Sequence, residues 1–402
     1  MTALLPQAAE RQRRELEVRL ALGRALADAH GFASEPVRAN YERVSELCAT
    51  TSSARDLVEA LYARWYVHAL RGQRRETMAM VAELQDLARR LGTADEGVLA
   101  DSALVRTALY DGRLADAELP MASLRAREAE RRDAPAADCY GVEPVVAATM
   151  HYANTLWFLG DTAGARATAR AGLARARASG NPLFLSAALG HAALTELFCG
   201  NSAEGGELAE EGAALAAEQG FAFWQAFAAA QQGWALVQQG QATEGSAAVE
   251  RALAGLRATG TGLFLTCVHA FLAEGRLRAG APAAGLAAVD AGLALAEVSL
   301  GCSYEPELWR LRGELLLASA AAWPAAEGCL LRALELARAA QARSLELRAA
   351  TTLAREWRAR DRAGEAYELL RGICDWFAGR PEGRDLGAAR ALLTRLAPAA
   401  SG

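Results

Sequence analysis

The sequence predicts an all-α chain, a right-handed superhelix (an α-solenoid) of stacked antiparallel helix pairs, and three observations carry that prediction. Turn signals recur at Gly72, Gly112, Gly160, Gly200, Gly240 and Gly280 and then at Ala321 and Asp361, with spacings of 40, 48, 40, 40, 40, 41 and 40 residues. Small residues recur in register with those turns. Composition points the same way: alanine supplies roughly a quarter of the 402 residues, leucine, glutamate and arginine are abundant, Ile373 is the only isoleucine and valine is sparse. That mixture favours helix and leaves little from which to build strands. A chain of this length exceeds one ordinary domain, but a repeat array grows in one dimension without separate cores.

Five residues past each turn stands a small residue, in order Thr77, Ala117, Ala165, Gly205, Gly245, Gly285, Ala326 and Ala366. A second small column precedes the turns at Ala153, Ala193, Gly233, Ala273, Gly313 and Ala354, and further breakers stand at Gly92, Gly180, Gly220, Gly260 and Gly301. Each unit of about 40 residues is therefore helix A, a tight turn, helix B and a loop. Two helices approach closely only where side chains are small, so one small residue on each marks the crossing. Residues 1–130 hold the N-terminal repeats. The long interval contains an insertion at 131–144, with Pro135, Gly141 and Pro144, that reads as a loop and a candidate hinge. Residues 145–380 form the regular array, and 381–402 supply a capping helix from about Arg384 to Leu396 and a tail, as an exposed repeat end requires.

Charge and cysteine usage exclude several functions. All 43 basic residues are arginine, so mechanisms that need lysine, a P-loop or a Schiff base, are out. A net charge of −5 disfavours nucleic acid as a partner, and the arginine-rich stretches 11–14 and 125–132 are interleaved with glutamates, as solvated helix faces are. Seven dispersed cysteines without a C-x-x-C predict neither a disulfide framework nor a metal site, and fit a reducing cytoplasm. The 25 uncharged residues between Glu218 and Glu244 contain seven glutamines and three glycines; the repeat register divides them between elements, so a buried helix and no membrane span is expected.

These units resemble tetratricopeptide repeats. The segment 160–174, GDTAGARATARAGLA, matches that family's turn-and-helix-B pattern with Ala165 and Gly172 at its small positions, and 321–337, AAWPAAEGCLLRALELA, does so with Ala326 and Ala333. The unit is longer than that family's usual one, as in the sensor arms of bacterial regulatory ATPases. The segments 306–317, PELWRLRGELLL, and 340–357, AQARSLELRAATTLAREW, followed by GEAYELL at 364–370, Trp376, Phe377 and DLGAARALL at 385–393, resemble the C-terminal region of bacterial proteins that place a class III adenylate/guanylate cyclase or a DNA-binding domain before a STAND-type ATPase and a helical arm. Residues 16–26, LEVRLALGRAL, resemble the start of that arm. Neither the cyclase nor the ATPase is present, so their activities do not transfer. The resemblance implies a sensor or partner-binding arm.

No catalytic constellation emerges: G-x-S-x-G, H-E-x-x-H, G-x-G-x-x-G and G-K-[ST] are all absent, and Gly260 to Gly262 falls where other units have an inter-repeat breaker. His151 and His191, 40 residues apart, occupy equivalent A-helix positions without a carboxylate in their column. No catalytic residue, metal or cofactor is expected. The expected function is a non-catalytic scaffold or sensor for a protein or peptide partner. The alternatives are a regulator that senses a small ligand in the concave channel and an atypical enzyme on a helical-repeat scaffold. The tetratricopeptide resemblance implies that A helices line the concave face. It places Asn154, Trp157 and Phe158 there, then Leu197 and Phe198, Trp234 and Gln238, Glu274 and Arg278, and finally Arg310, Glu314, Arg355 and Arg358. The channel so built is aromatic in its middle and charged toward the C-terminus, suited to a ligand with an apolar segment and an acidic end. The lysine-based carboxylate clamp of chaperone-binding relatives cannot exist here.

Overall fold

The computed structural model describes residues 5–31, 33–50, 54–130, 143–319, 322–381 and 383–397, and among them it contains nineteen α-helices and no strand. A leading pair, α1 (Leu5–His30) and α2 (Glu35–Thr50), is followed by eight A/B units. These are α3 (Ala54–Leu70) with α4 (Arg74–Leu91), α5 (Ala94–Tyr110) with α6 (Glu118–Glu130), α7 (Pro144–Phe158) with α8 (Thr162–Ser179), and α9 (Pro182–Phe198) with α10 (Ser202–Gln219). Then come α11 (Ala222–Gln238) with α12 (Ala242–Ala258), α13 (Leu265–Arg278) with α14 (Pro282–Val298), α15 (Glu305–Ala318) with α16 (Trp323–Ala339), and α17 (Arg343–Arg358) with α18 (Ala363–Trp376). A single helix, α19 (Arg384–Leu396), covers the end. Of the insertion expected at 131–144, residues 131–142 lie outside the described ones; α7 packs on α5 as α9 packs on α7.

The turns stop the helices for the reason the spacing implied. Six of the eight marks are glycines in the left-handed region, and Asp361, with φ 61°, adopts the same conformation without one, as Asp does more readily than most residues. Helix starts are fixed locally as well: the Asp161 carboxylate accepts from Gly164 N at 2.9 Å, and Asn181 Oδ1 accepts from Phe184 N at 3.1 Å. Burial then separates two layers. Thirteen of the 17 residues of α9 are buried, against four of the 18 of α10, so A helices are the inner layer and B helices the outer. The four buried on α10 are Gly205, Ala209, Gly212 and Ala216, a stripe with no large side chain. No helix among the described residues is long and apolar enough to cross a membrane.

The small columns are crossing points. A Cβ added at Gly245 would lie 2.5 Å from the carbonyl oxygen of Gly233, and one at Gly233 would lie 2.9 Å from that of Gly245. The backbones of α11 and α12 therefore touch directly. Gly313 and Gly285 are closed in instead by side chains, those of Leu330 and Leu315.

The array also returns onto itself. Gly262 N and Leu263 N both donate to Leu70 O at 2.9 and 3.1 Å, Leu300 N donates to Gly72 O at 2.8 Å, and Gly301 N donates to Tyr110 O at 3.0 Å. Gln73 and Ser299 form an isolated antiparallel bridge. Farther along, Ser344 Oγ donates to Trp157 O at 2.5 Å and Arg348 Nη2 to Phe198 O at 3.1 Å. Contacts along this seam join residues 150 to 228 apart, so about four to six 40-residue units complete one turn of the superhelix. The A/B turns of one turn dock on the B/A loops of the next.

Two outcomes follow from this packing. Gly245→Ala should lower stability by about 1–3 kcal/mol through overpacking, whereas Gly328→Ala, inside α16 with nothing within 4 Å of the added carbon, should raise it by about 0.5–1 kcal/mol through helix propensity; urea melts of both variants check the pair. Gly262→Ala would drive a methyl against the carbonyl of Arg71, so the seam should part. Small-angle scattering should then give a larger radius of gyration and circular dichroism an unchanged helix content.

Candidate functional site

The inner faces of the last A helices converge on one open cavity of about 520 Å³. Leu197 of α9, Trp234 and Gln238 of α11, and Glu274, Leu277 and Arg278 of α13 form one wall. Glu307, Arg310, Glu314 and Leu317 of α15, with Arg348, Thr351, Thr352, Arg355 and Glu356 of α17, form the other, and Arg384, Asp385 and Ala388 of α19 close the end. The cap is therefore part of the site.

Charge in this cavity is balanced and mostly committed. Arg310 donates to Glu307 and to Glu314 at 2.7 Å each, Arg348 donates to Asp385 at 2.6 Å, Arg278 donates to Glu274 at 2.5 Å, and Glu356 is held by Arg360 at 2.7 Å. Burial alone would raise the Glu307 carboxyl, but Arg310 and Arg348 outweigh it and hold the group below its ordinary range. The same balance keeps Arg348 above its ordinary value, since Asp385 and Glu307 outweigh its burial. Arg348 also lies 4.9 Å over the Trp157 ring. The least committed cations are the exposed Arg355, whose one ion pair reaches Glu314 at 3.8 Å, and the exposed Arg384. Gln238 Nε2 donates to Leu197 O at 3.2 Å while its Oε1 is buried without a partner.

Of the residues predicted to line the channel, Leu197, Trp234, Gln238, Glu274, Arg278, Arg310, Glu314 and Arg355 lie on this cavity. Asn154, Trp157, Phe158 and Phe198 do not, and for them the expectation is corrected. Asn154 is buried between α7 and α9: its Nδ2 donates to Thr195 Oγ1 at 2.7 Å, and its Oδ1 accepts from His191 Nδ1 at 3.0 Å. Trp157 stacks on Phe198 at 4.5 Å, Phe158 meets both Phe198 and Tyr304 edge-on, and Phe198 stacks on Tyr304 at 5.5 Å. The aromatic middle of the channel is thus filled by a residue from the next superhelical turn. Even Trp234 shows only an edge; its ring stacks on Phe271 at 4.0 Å and its Nε1 donates to Glu274 at 2.8 Å. Arg358 is exposed and stands outside the cavity lining.

Sequence reasoning missed Glu307, Arg348 and Asp385. The first two stand seven residues before Glu314 and Arg355, two turns earlier on the same helix face, so extending the helical stripe by one heptad would have found them. Asp385 had no such signal, because α19 was read only as a cap.

The His151 and His191 rings lie 4.1 Å apart, both buried. Burial, with Arg106 adding to it, lowers His191 to about 3, and burial, His191 and Arg106 lower His151 well below its ordinary value, so both are neutral packing groups. Among the described residues no group of three or more His, Cys, Asp or Glu side chains could hold a metal ion.

No family model and no curated protein matches the chain. Solved structures do resemble it. A Rap protein complexed with Competence and Sporulation Factor superposes with a TM-score of 0.58 at 13% identity, over 95% of this chain and 97% of that one. The quorum sensor NprR from B. thuringiensis, in its apo form, gives 0.53 at 12% identity over 92% and 99%. An APC/C hetero-tetramer Cut9-Hcn1 gives 0.50 at 12% identity over 89% of this chain and 59% of that one. At such identities the likeness establishes the fold, and the fold is a tetratricopeptide-like helical array.

Proposed function

We propose that the chain is a peptide-binding regulator without catalytic activity, and that a short peptide is held in the cavity between α9 and α19. The observation that carries this reading is the cavity itself: six successive inner helices contribute to it, and it presents charges of both signs around a volume within the usual range for ligand pockets. A zwitterionic chain matches that lining. Its carboxylate end would meet Arg355 and Arg384, the cations with least internal pairing. Aliphatic positions such as Leu277 and Leu317 leave room for one or two apolar side chains. Two proteins of similar fold, one complexed with Competence and Sporulation Factor and one a quorum sensor, support a binding or sensing task.

Calorimetric titration with a library of short synthetic peptides tests the reading. A binding peptide should lose at least about tenfold in affinity, about 1.4 kcal/mol, when Arg355→Gln and Arg384→Gln are combined, with Tm unchanged because both side chains are exposed. Amidation of its C-terminus should weaken it comparably. A library without binders, or a binder indifferent to both changes, refutes the proposal.

A further inference from the structure

Away from that cavity, the first superhelical turn buries a guanidinium without an acid. Arg106 of α5 is 8% exposed. Its group lies 4.7 Å over the Trp65 ring and 4.6 Å over the Tyr66 ring, and its Nη1 donates to Tyr62 Oη at 3.2 Å. No ion pair reaches it from the described residues, and its Nε is buried without a hydrogen-bond partner. One turn along the same face, the buried hydroxyl of Tyr110 is also unpartnered. The imidazoles of His151 and His191, the titratable groups on the neighbouring inner helices, carry no charge that could compensate Arg106. A buried cation normally has a partner because its desolvation is costly, and two orphaned donors beside it sharpen the imbalance.

Space for a counter-ion adjoins it. A void of about 30 Å³ touches Arg106, His151 and His191 and is walled by Phe184, Trp224 and Phe264. Through Tyr66, Leu70 and Trp224, which line both, it adjoins an apolar cavity of about 110 Å³ whose other walls include Leu183, Phe223 and Thr261. The smaller void is large enough for about one water or a carboxylate head, and the larger approaches the ~150 Å³ of an apolar cavity that binds benzene.

We propose that Arg106 forms the anion-reading end of a second ligand site, one that takes a small organic carboxylate carrying a single flat apolar ring. The carboxylate accepts from the Arg106 guanidinium in the smaller void, and the ring extends past Trp224 into the larger cavity beside Leu183 and Phe223. This site shares no lining residue with the peptide cavity and does not depend on the peptide reading.

Benzoate and benzyl alcohol are the probes, matched in size and different in charge, with tryptophan fluorescence and Tm as readouts on the full chain. Benzoate should bind with a Kd of about 1 mM or tighter and raise Tm, and benzyl alcohol should bind at least about tenfold more weakly. Arg106→Gln should erase that preference. Should this variant not fold, Arg106→Lys, which keeps the charge and loses the planar fork, should weaken benzoate severalfold and leave benzyl alcohol unchanged. Arg355→Gln combined with Arg384→Gln should leave the preference intact. Equal affinity for the two probes, no benzoate binding, a preference that survives Arg106→Gln, or one lost with Arg355 and Arg384 would each overturn the proposal.

Discussion

Docking of one superhelical turn on the next is the contact on which the interior of this molecule depends. It is made largely by backbone: Leu70 O, Gly72 O, Tyr110 O and Trp157 O all accept from residues of the following turn. Carbonyls at helix ends lack intrahelical donors and must be satisfied from elsewhere once water is excluded. Here the donors come from the B/A loops around residues 262, 300 and 344. Close approach is possible because the loops carry almost no side chain there. Gly72 faces the backbone of Gly262, and Gly301 faces Leu263 O. By contrast, Gly92, Gly180, Gly220, Gly240 and Gly280 share the positive φ but have nothing within 4 Å of an added carbon. The same residue type therefore answers two demands, left-handed backbone at each of these glycine turns and interturn proximity only at the seam; the Ala321 mark lies outside the described residues.

Closure decides what the concave face can offer. In an open superhelix, Trp157, Phe158 and Phe198 would line a channel. Here Tyr304 of the second turn enters that space, and Phe271 follows it at 6.1 Å. Aromatic pairs in offset and edge-on arrangements gain about 0.5–1.5 kcal/mol beyond their buried area, so the filled axis holds the two turns together. What is left open lies beyond the last overlap, where no further described helix covers α15, α17 and α19. The inner positions there are arginine, glutamate and threonine, as a wetted surface requires.

The repeat was legible because it is a local property: the glycine marks and small columns each sit on one unit, and the positive φ at seven of the eight marks and the Gly233–Gly245 contact are their physical content. The charged part of the cavity was legible through the helical face that carries Glu274, Arg310, Glu314 and Arg355. The seam was not. Its backbone bonds join residues some 190 to 230 apart, and nothing in the local sequence marks Leu70 O or Gly72 O as an acceptor. Without the seam, the aromatics could be assigned to the inner face but not to core or channel, since that depends on the superhelical pitch. Arg106 was invisible for a related reason. Its isolation from any carboxylate arises from the packing of α3, α5, α7 and α9 together.

Arg348 shows how the two regions are joined. Its guanidinium donates to Asp385 of the cap and to Phe198 O of the preceding superhelical turn, lies over Trp157, and is 3.8 Å from Glu307 of α15. A buried ion pair adds little stability compared with apolar packing, but removing one partner is costly, about 3–5 kcal/mol, because the other charge is left stranded. Asp385 is therefore tied to Arg348 for as long as Arg348 remains buried. Since Asp385 lines the cavity and Arg348 grips the seam, whatever displaces the carboxylate acts directly on the group that holds the two turns together.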